Sequence, residues 1–306
     1  MTTLRRVAVG TRTSPLSVAQ TEEVLSQLRV HSPECDFAVV PIVTSGDRYK
    51  DAPLLSLGRG TFVKEIETAL LNGEIDLAVH SAKDLLSPLP EGLTLAAIGR
   101  RKDPRDVQVN RWGLPLIDLP PDARLGTSSP RRTALLKELR ADIRVLPIRG
   151  NVGTRLDKAR GDDYDGVVLA AAGIVRLGRE AEITEHLPPD TFVPEVGQGA
   201  LAVEARAGDT KIIEMLAKID HGPSRTAFQA ERAFLAVLGG GCTVPVAAYA
   251  QLDGSQLHIS AMAAVPDGSR VFRTQVTAPA DDAEYAGRRT AQALLAAGAG
   301  EILERG

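Results

Sequence analysis

Cysteine is nearly absent. The 306-residue sequence holds two, Cys35 and Cys242, too few for a disulfide framework and suited to a reducing compartment. Cys35, in "HSPEC", reads as an ordinary loop residue. Aromatic residues make up only 4 %, which leaves no evident stacking platform for single-stranded nucleic acid. With a formal net charge of −3, no nucleic-acid partner is expected. No stretch approaches about 18 uninterrupted apolar residues, and the opening "MTTLRRVAVG" lacks the apolar core of a secretory signal. A cytoplasmic protein without a membrane partner is therefore expected. The histidines show no ligand spacing with one another or with the cysteines, so no metal is expected. There is no P-loop, and no G-x-G-x-x-G between a strand and a helix, which speaks against nucleotide hydrolysis and dinucleotide binding.

What is present is an ordinary globular composition, 43 % apolar and 25 % charged, in a chain longer than one core usually organises. "RRVAVG" reads as a strand, and "TRTSP" supplies an N-cap at Ser14 with Pro15 at the first helical position. "FAVVPIV", a helix near "FVKEIETALLNG" closed by Gly73, and "DLAVH" continue a strand-helix alternation, which predicts a parallel sheet. The pattern recurs in "ARLGTSSPRRTALLKEL", "DIRVLPIRGNVGTRLDKA" and "DGVVLAAAGIVRLG". The echo of "GTRTSP" in "GTSSP" suggests related lobes. After "AERAFLAVLGGGC" come three strand-like runs and an alanine-rich helix reaching Ile302. The predicted organisation is one α/β lobe from residues 1–99 with 200–219, a second from 100–199, and an α+β domain from 220–306.

Charge is unevenly spread. From Arg124 to Arg179 there are ten Arg and two Lys against six Asp or Glu. In "GTSSPRR" the hydroxyls of Ser128 and Ser129, a helix start and two guanidinium groups, Arg131 and Arg132, suit carboxylate or phosphate. A capped surface helix explains the same segment. Arg149 and Arg155 in "IRGNVGTR", Arg176 after "AAG", and Arg12 near the first helix extend the basic set. "VHSAKD" places Lys83 and Asp84 just beyond a strand, where open sheets bind ligands. A carboxylate there can accept hydrogen bonds from N–H groups and steady a developing cation, or be one half of a surface pair. His80, preceding them, reads as a buried structural residue. In "LGGGC" three glycines precede Cys242. They read either as a helix cap with a small buried thiol, or as room left for a bulky group attached to the sulfur.

Eight motifs in order, "TRTSPLSVAQ", "FVKEIE", "AVHSAKD", "GTSSPRR", "RGNVGTRLDK", "AAGIVRLG", "VGQGALAVEAR" and "ERAFLAVLGGGC", resemble the porphobilinogen deaminase (hydroxymethylbilane synthase) family almost from end to end. The resemblance implies two periplasmic-binding-protein-like α/β lobes around a cleft, plus a small C-terminal α+β domain. It also implies a transferase that condenses four porphobilinogen molecules head to tail, losing ammonia each time, to give hydroxymethylbilane. A dipyrromethane cofactor, joined by a thioether to the cysteine matching Cys242, is implied as the primer.

The matching positions take their implied roles from the same source. Asp84 resembles the catalytic aspartate, which binds pyrrole N–H groups and steadies the cation formed as ammonia leaves. Lys83, Asp84, Thr127, Ser128, Ser129, Arg131, Arg132, Arg155 and Gly173 resemble the cofactor-binding set, and Arg12, Ser14, Gln20, Phe62, Arg149, Arg155 and Arg176 the substrate-binding set. Phe62 resembles an aromatic residue covering the site. Ser45 stands where the family usually has arginine, Arg59 where lysine is common, and Gly239 where an acid is frequent. A monomer is implied. Apart from the resemblance, the lobes and arginines alone indicate a cytosolic two-lobed binding protein for a polycarboxylate ligand.

Overall fold

The computed structural model describes residues 5–48, 60–85, 88–239 and 245–303. The chain divides into two compact units, Met1–Lys102 with Ala200–Arg225, and Asp103–Gly199 with Thr226–Gly306. Unit 1 begins with strand β1 (Arg5–Arg12), helix α1 (Pro15–His31), β2 (Cys35–Ile42), α2 (Ser45–Arg48), α3 (Lys64–Leu71), β3 (Leu77–Ser81) and β4 (Leu93–Ile98). Unit 2 takes over with β5 (Asp106–Asn110), β6 (Arg124–Gly126), α4 (Pro130–Leu139), β7 (Arg144–Leu146), α5 (Val152–Lys158), β8 (Gly166–Ala170), α6 (Ala171–Arg176) and β9 (Glu185–His186). The chain then returns to unit 1 for β10 (Leu201–Arg206) and α7 (Thr210–Ala217). Helix α8 (Gly222–Val237) leads back to unit 2, which ends with β11 (Val246–Asp253), β12 (Gln256–Ala264), β13 (Val271–Pro279), α9 (Ala283–Leu294) and α10 (Gly300–Leu303).

The five-stranded sheet of unit 1 has the order β2-β1-β3-β10-β4. Strands β1, β2 and β3 are parallel, as the strand-helix alternation predicts, but β10 runs antiparallel to both neighbours. The sheet is therefore mixed. Alternation along the chain reports only strands joined by helices within a lobe, whereas β10 arrives after the chain has built the other sheet. Val7, Val9, Leu77, Val79 and Val203 pack with Val24, Leu25 and Leu28 of α1 and Leu216 of α7 on one face. Ala78 packs with Ile66 and Leu70 of α3 on the other. With both faces covered, β3 is buried along most of its length, and only its terminal residue Ser81 is partly exposed.

Unit 2 repeats the plan with the order β7-β6-β8-β5-β9. Strands β6, β7 and β8 are parallel, while β5 is antiparallel to β8 and β9. Ser14 and Ser129 thus hold equivalent places, each following the second strand of its sheet and capping a helix that starts with proline. The small antiparallel sheet β11-β12-β13 completes the expected class of two α/β lobes and an α+β domain. It packs Ala247, Met262 and Ala264 against Leu135 and Leu136 of α4. The β12–β13 turn fits against α4 because Gly268, at φ 74°, has no Cβ: one there would overlap the Ala134 carbonyl.

Two local expectations change. Cys35 opens β2 rather than lying in a loop, and its sulfur is 4.0 Å from that of Met215. The terminal helix does not run unbroken to Ile302; Gly298, at φ 106°, interrupts it beside Phe272.

Candidate active site

In unit 1, β1 ends at Arg12, whose guanidinium lies 4.1 Å over the Phe62 ring and grips Asp47 through two donors, Nε at 3.2 Å and Nη2 at 2.6 Å. Burial alone would raise the Asp47 carboxyl, but Arg12, aided by Thr44, outweighs it and holds the group below the usual carboxylate range. Gly46 lets the Phe62 ring approach, since a Cβ would occupy the space of the ring edge. The structure thus joins Arg12 to Phe62 and gives Asp47 a definite task. At Ser45, the backbone N–H donates to Glu65 Oε1 at 2.8 Å and the hydroxyl to the Thr61 carbonyl at 3.1 Å.

Ser14 is spent as the cap of α1, accepting from the Ser17 N–H at 3.1 Å. Gln20 is buried, and its amide donates to Ser81 Oγ at 2.8 Å, tying α1 to the end of β3. Just past that tie, Ala82–Asp84 form one 3-10 turn, with Lys83 and Asp84 half-buried. His80 is buried as expected, its Nε2 3.0 Å from Glu204 Oε2 of β10. Glu67 of α3 lies near this pair, and burial together with the Glu204 charge pushes its carboxyl up.

In unit 2, the loop after β6 is fixed by its own hydroxyls. Ser128 Oγ donates to the Ile148 carbonyl at 2.6 Å and accepts from the Ile148 N–H at 3.1 Å, while buried Thr127 accepts from the Ser129 N–H at 3.2 Å. Ser129 caps α4. The first turn of α4 carries Arg131 and Arg132, only 4 % and 5 % exposed.

Both converge on Asp106 at the start of β5, which is fully buried. Arg131 gives Asp106 only Nη1, at 2.6 Å, and shares that nitrogen with the Val193 carbonyl. Arg132 presents Nε at 2.9 Å and Nη2 at 2.8 Å to Asp106. Burial would raise the Asp106 carboxyl, yet the two guanidinium charges bring it down to about 2. The remaining edge of Arg131, Nε and Nη2, is buried without a hydrogen-bond partner among the described residues.

Arg155, on the first turns of α5, donates Nε to the Gly150 carbonyl at 2.8 Å. Burial, with the charges of Arg132 and Arg149 adding to it, lowers it to about 10. Arg176 closes α6 and donates to the Gly199 carbonyl at 3.1 Å; Gly173 is buried inside that helix. Gly239, at φ 77°, follows the last turn of α8 in the manner of a helix cap. Cys242 and Arg59 lie outside the described residues.

The donor set suits a ligand bearing several carboxylates, and so suits a dipyrromethane: an unfilled guanidinium edge on Arg131, a basic cluster of Arg132, Arg149 and Arg155, and a capped helix start. Sequence reasoning missed Asp106 and Gln198, whose amide reaches Asp106 at 3.1 Å and the Pro104 carbonyl at 2.6 Å. The one available signal was an aspartate heading the strand-like run "DVQV", where a buried carboxylate needs a cation.

Two mixed sheets flanked by helices, with arginines massed in the second lobe, give an arrangement suited to polyanionic small molecules. Two family descriptions fit the chain: "Porphobilinogen deaminase, dipyromethane cofactor binding domain" over residues 7–214, and "Porphobilinogen deaminase, C-terminal domain" over residues 226–296. Porphobilinogen deaminases from Pelotomaculum thermopropionicum and Desulforudis audaxviator are 47 % and 48 % identical over 302 residues, covering 98 % of this chain and 97 % and 98 % of theirs. The one from Geobacillus kaustophilus is 44 % identical over 304 residues, 99 % of this chain and 98 % of its own. The chain belongs to the porphobilinogen deaminase family. Among solved structures, a YaeC-family lipoprotein from Enterococcus faecalis aligns at 14 % identity over 71 % of this chain and 92 % of its own, with a TM-score of 0.41.

Proposed function

We infer that the protein is a hydroxymethylbilane synthase, joining four porphobilinogen molecules head to tail with loss of ammonia at each step. The observation that carries this beyond family membership is the arginine cluster. Arg132, Arg149 and Arg155 lie close enough for their charges to act on one another, and a pyrrole bearing an acetate and a propionate brings carboxylates that suit such a cluster. Bound dipyrromethane supplies the pyrrole end to which the first substrate unit is joined. Cys242 is its anchor, and Lys83, Thr127, Ser128, Ser129, Arg131, Arg132, Arg155 and Gly173 form its seat. Within that seat Arg131 offers an open two-nitrogen edge, whereas Arg132 acts mainly through its charge.

Arg12, Phe62, Arg149, Arg155 and Arg176 handle the carboxylates and rings of the substrate and the chain. Ser14 and Gln20 serve this set by holding the start of α1 and the end of β3. Asp84 is the catalytic group: its carboxylate accepts from pyrrole N–H groups, and its charge favours the cation that develops as ammonia departs. A cytoplasmic monomer fits this role, and no helix among the described residues is long and apolar enough to cross a membrane.

Intact mass decides the matter directly. Purified protein should exceed its sequence mass by a two-pyrrole adduct, and Cys242→Ala should lack it. Asp84→Asn should keep the adduct while losing at least about a hundredfold in kcat. An active protein of unmodified mass would overturn the reading.

A further inference from the structure

We propose that Asp106 is a positioning residue that gives two adjacent arginines different tasks, making Arg132 its counter-ion and leaving Arg131 as the receptor for one ligand carboxylate. This rests on the proposed cofactor seat. The asymmetry is in the hydrogen bonds. Asp106 Oδ1 takes both Nε and Nη2 of Arg132, the edge that would otherwise meet a carboxylate in two-point fashion. Arg132 Nη1 turns to the Val168 carbonyl at 3.4 Å, and Nη2 also reaches Gln198 Oε1 at 3.4 Å.

Arg131 meets Asp106 through Oδ2 and one nitrogen only, and the Val193 carbonyl holds that same nitrogen at 2.7 Å. Two acceptors on Nη1 fix the guanidinium plane. The opposite edge, Nε with Nη2, meets no acceptor among the described residues and is left as a parallel pair of buried donors. Buried donors without acceptors are costly, and one carboxylate would satisfy both. The count of charge agrees: two guanidinium groups and one carboxylate leave one positive charge. Gln198, bonded to Asp106 and to Pro104, braces the carboxylate without adding charge.

The test uses the full chain, with intact mass for covalent loading, urea unfolding for the fold, and 15N relaxation of the Arg131 Nε–H for its order. In Asp106→Asn, the loaded fraction should fall at least about fivefold, and the Arg131 Nε–H should change from rigid to mobile. Arg131→Met should be depleted to a similar degree. Normal loading of Asp106→Asn beside depleted Arg131→Met would overturn the proposal and leave the seat standing. Full loading of Arg131→Met would overturn the receptor role itself, and a wild-type chain without adduct would remove the functional reading beneath both. Loss of loading with the Arg131 signal unchanged would reduce Asp106 to a counter-charge and also overturn it. If Asp106→Asn fails to fold, Asp106→Glu keeps the charge and moves it by one methylene; reduced loading supports the proposal, and wild-type loading refutes it.

Discussion

At the scale of single residues, arginines in this protein are held by partners that the ligand does not supply. Arg12 is clamped between the Asp47 carboxylate and the Phe62 ring, so its orientation exists before any substrate arrives. Asp47→Asn should therefore weaken substrate binding, with KM rising roughly fivefold and kcat changing less. Steady-state kinetics check this. The same variant carries a pH signature. Because the folded carboxyl lies below its unfolded value, the stability it contributes is complete above the unfolded pKa near ~4 and is lost as pH falls through the folded one. Urea midpoints of Asp47→Asn should fall less steeply than those of the wild type below about pH 4.

Among the elements, α4 joins the two parts of unit 2. Its first turn carries Ser129, Arg131 and Arg132, and its later turns receive the small sheet through Gly268 and the Arg273–Glu138 ion pair. Gly268→Val places a side chain against the Ala134 carbonyl in a backbone conformation that valine avoids, and should cost about 2 kcal/mol or more of stability. Denaturant unfolding measures that loss, and covalent loading should become more sensitive to mild urea in the same variant.

The start of this helix was legible in the sequence because a cap followed by proline is a local code that needs no tertiary partner. The same holds for Ser14 and Pro15. The antiparallel course of β10 was not legible, since nothing within "LAVEAR" records which strands it will lie between. The candidate site divides likewise. Arginines in "GTSSPRR" and "IRGNVGTR" stood out by type and place, but the carboxylate restraining two of them is 25 residues before Arg131, and only folding brings it there. Gln20 is similar: its amide is committed to Ser81, a partner 61 residues away in the chain.

At the scale of the whole molecule, the chain visits one lobe, builds the sheet of the other, and returns. All five strands of the second sheet lie between Asp106 and His186, whereas the first sheet needs β10 between β3 and β4. Among the described residues, strand β4 has no neighbour in its sheet except β10. Stalled translation products should reveal this order: limited proteolysis should find residues 103–199 protected in shorter nascent chains than residues 1–102, and equal lengths for both would contradict it. The N-terminal lobe, although made first, would then mature second. Until Leu201–Arg206 clears the ribosome, the lobe carrying Asp84 waits with an open seam, so the cell would assemble the arginine-rich half before the proposed catalytic carboxylate has a finished sheet beneath it.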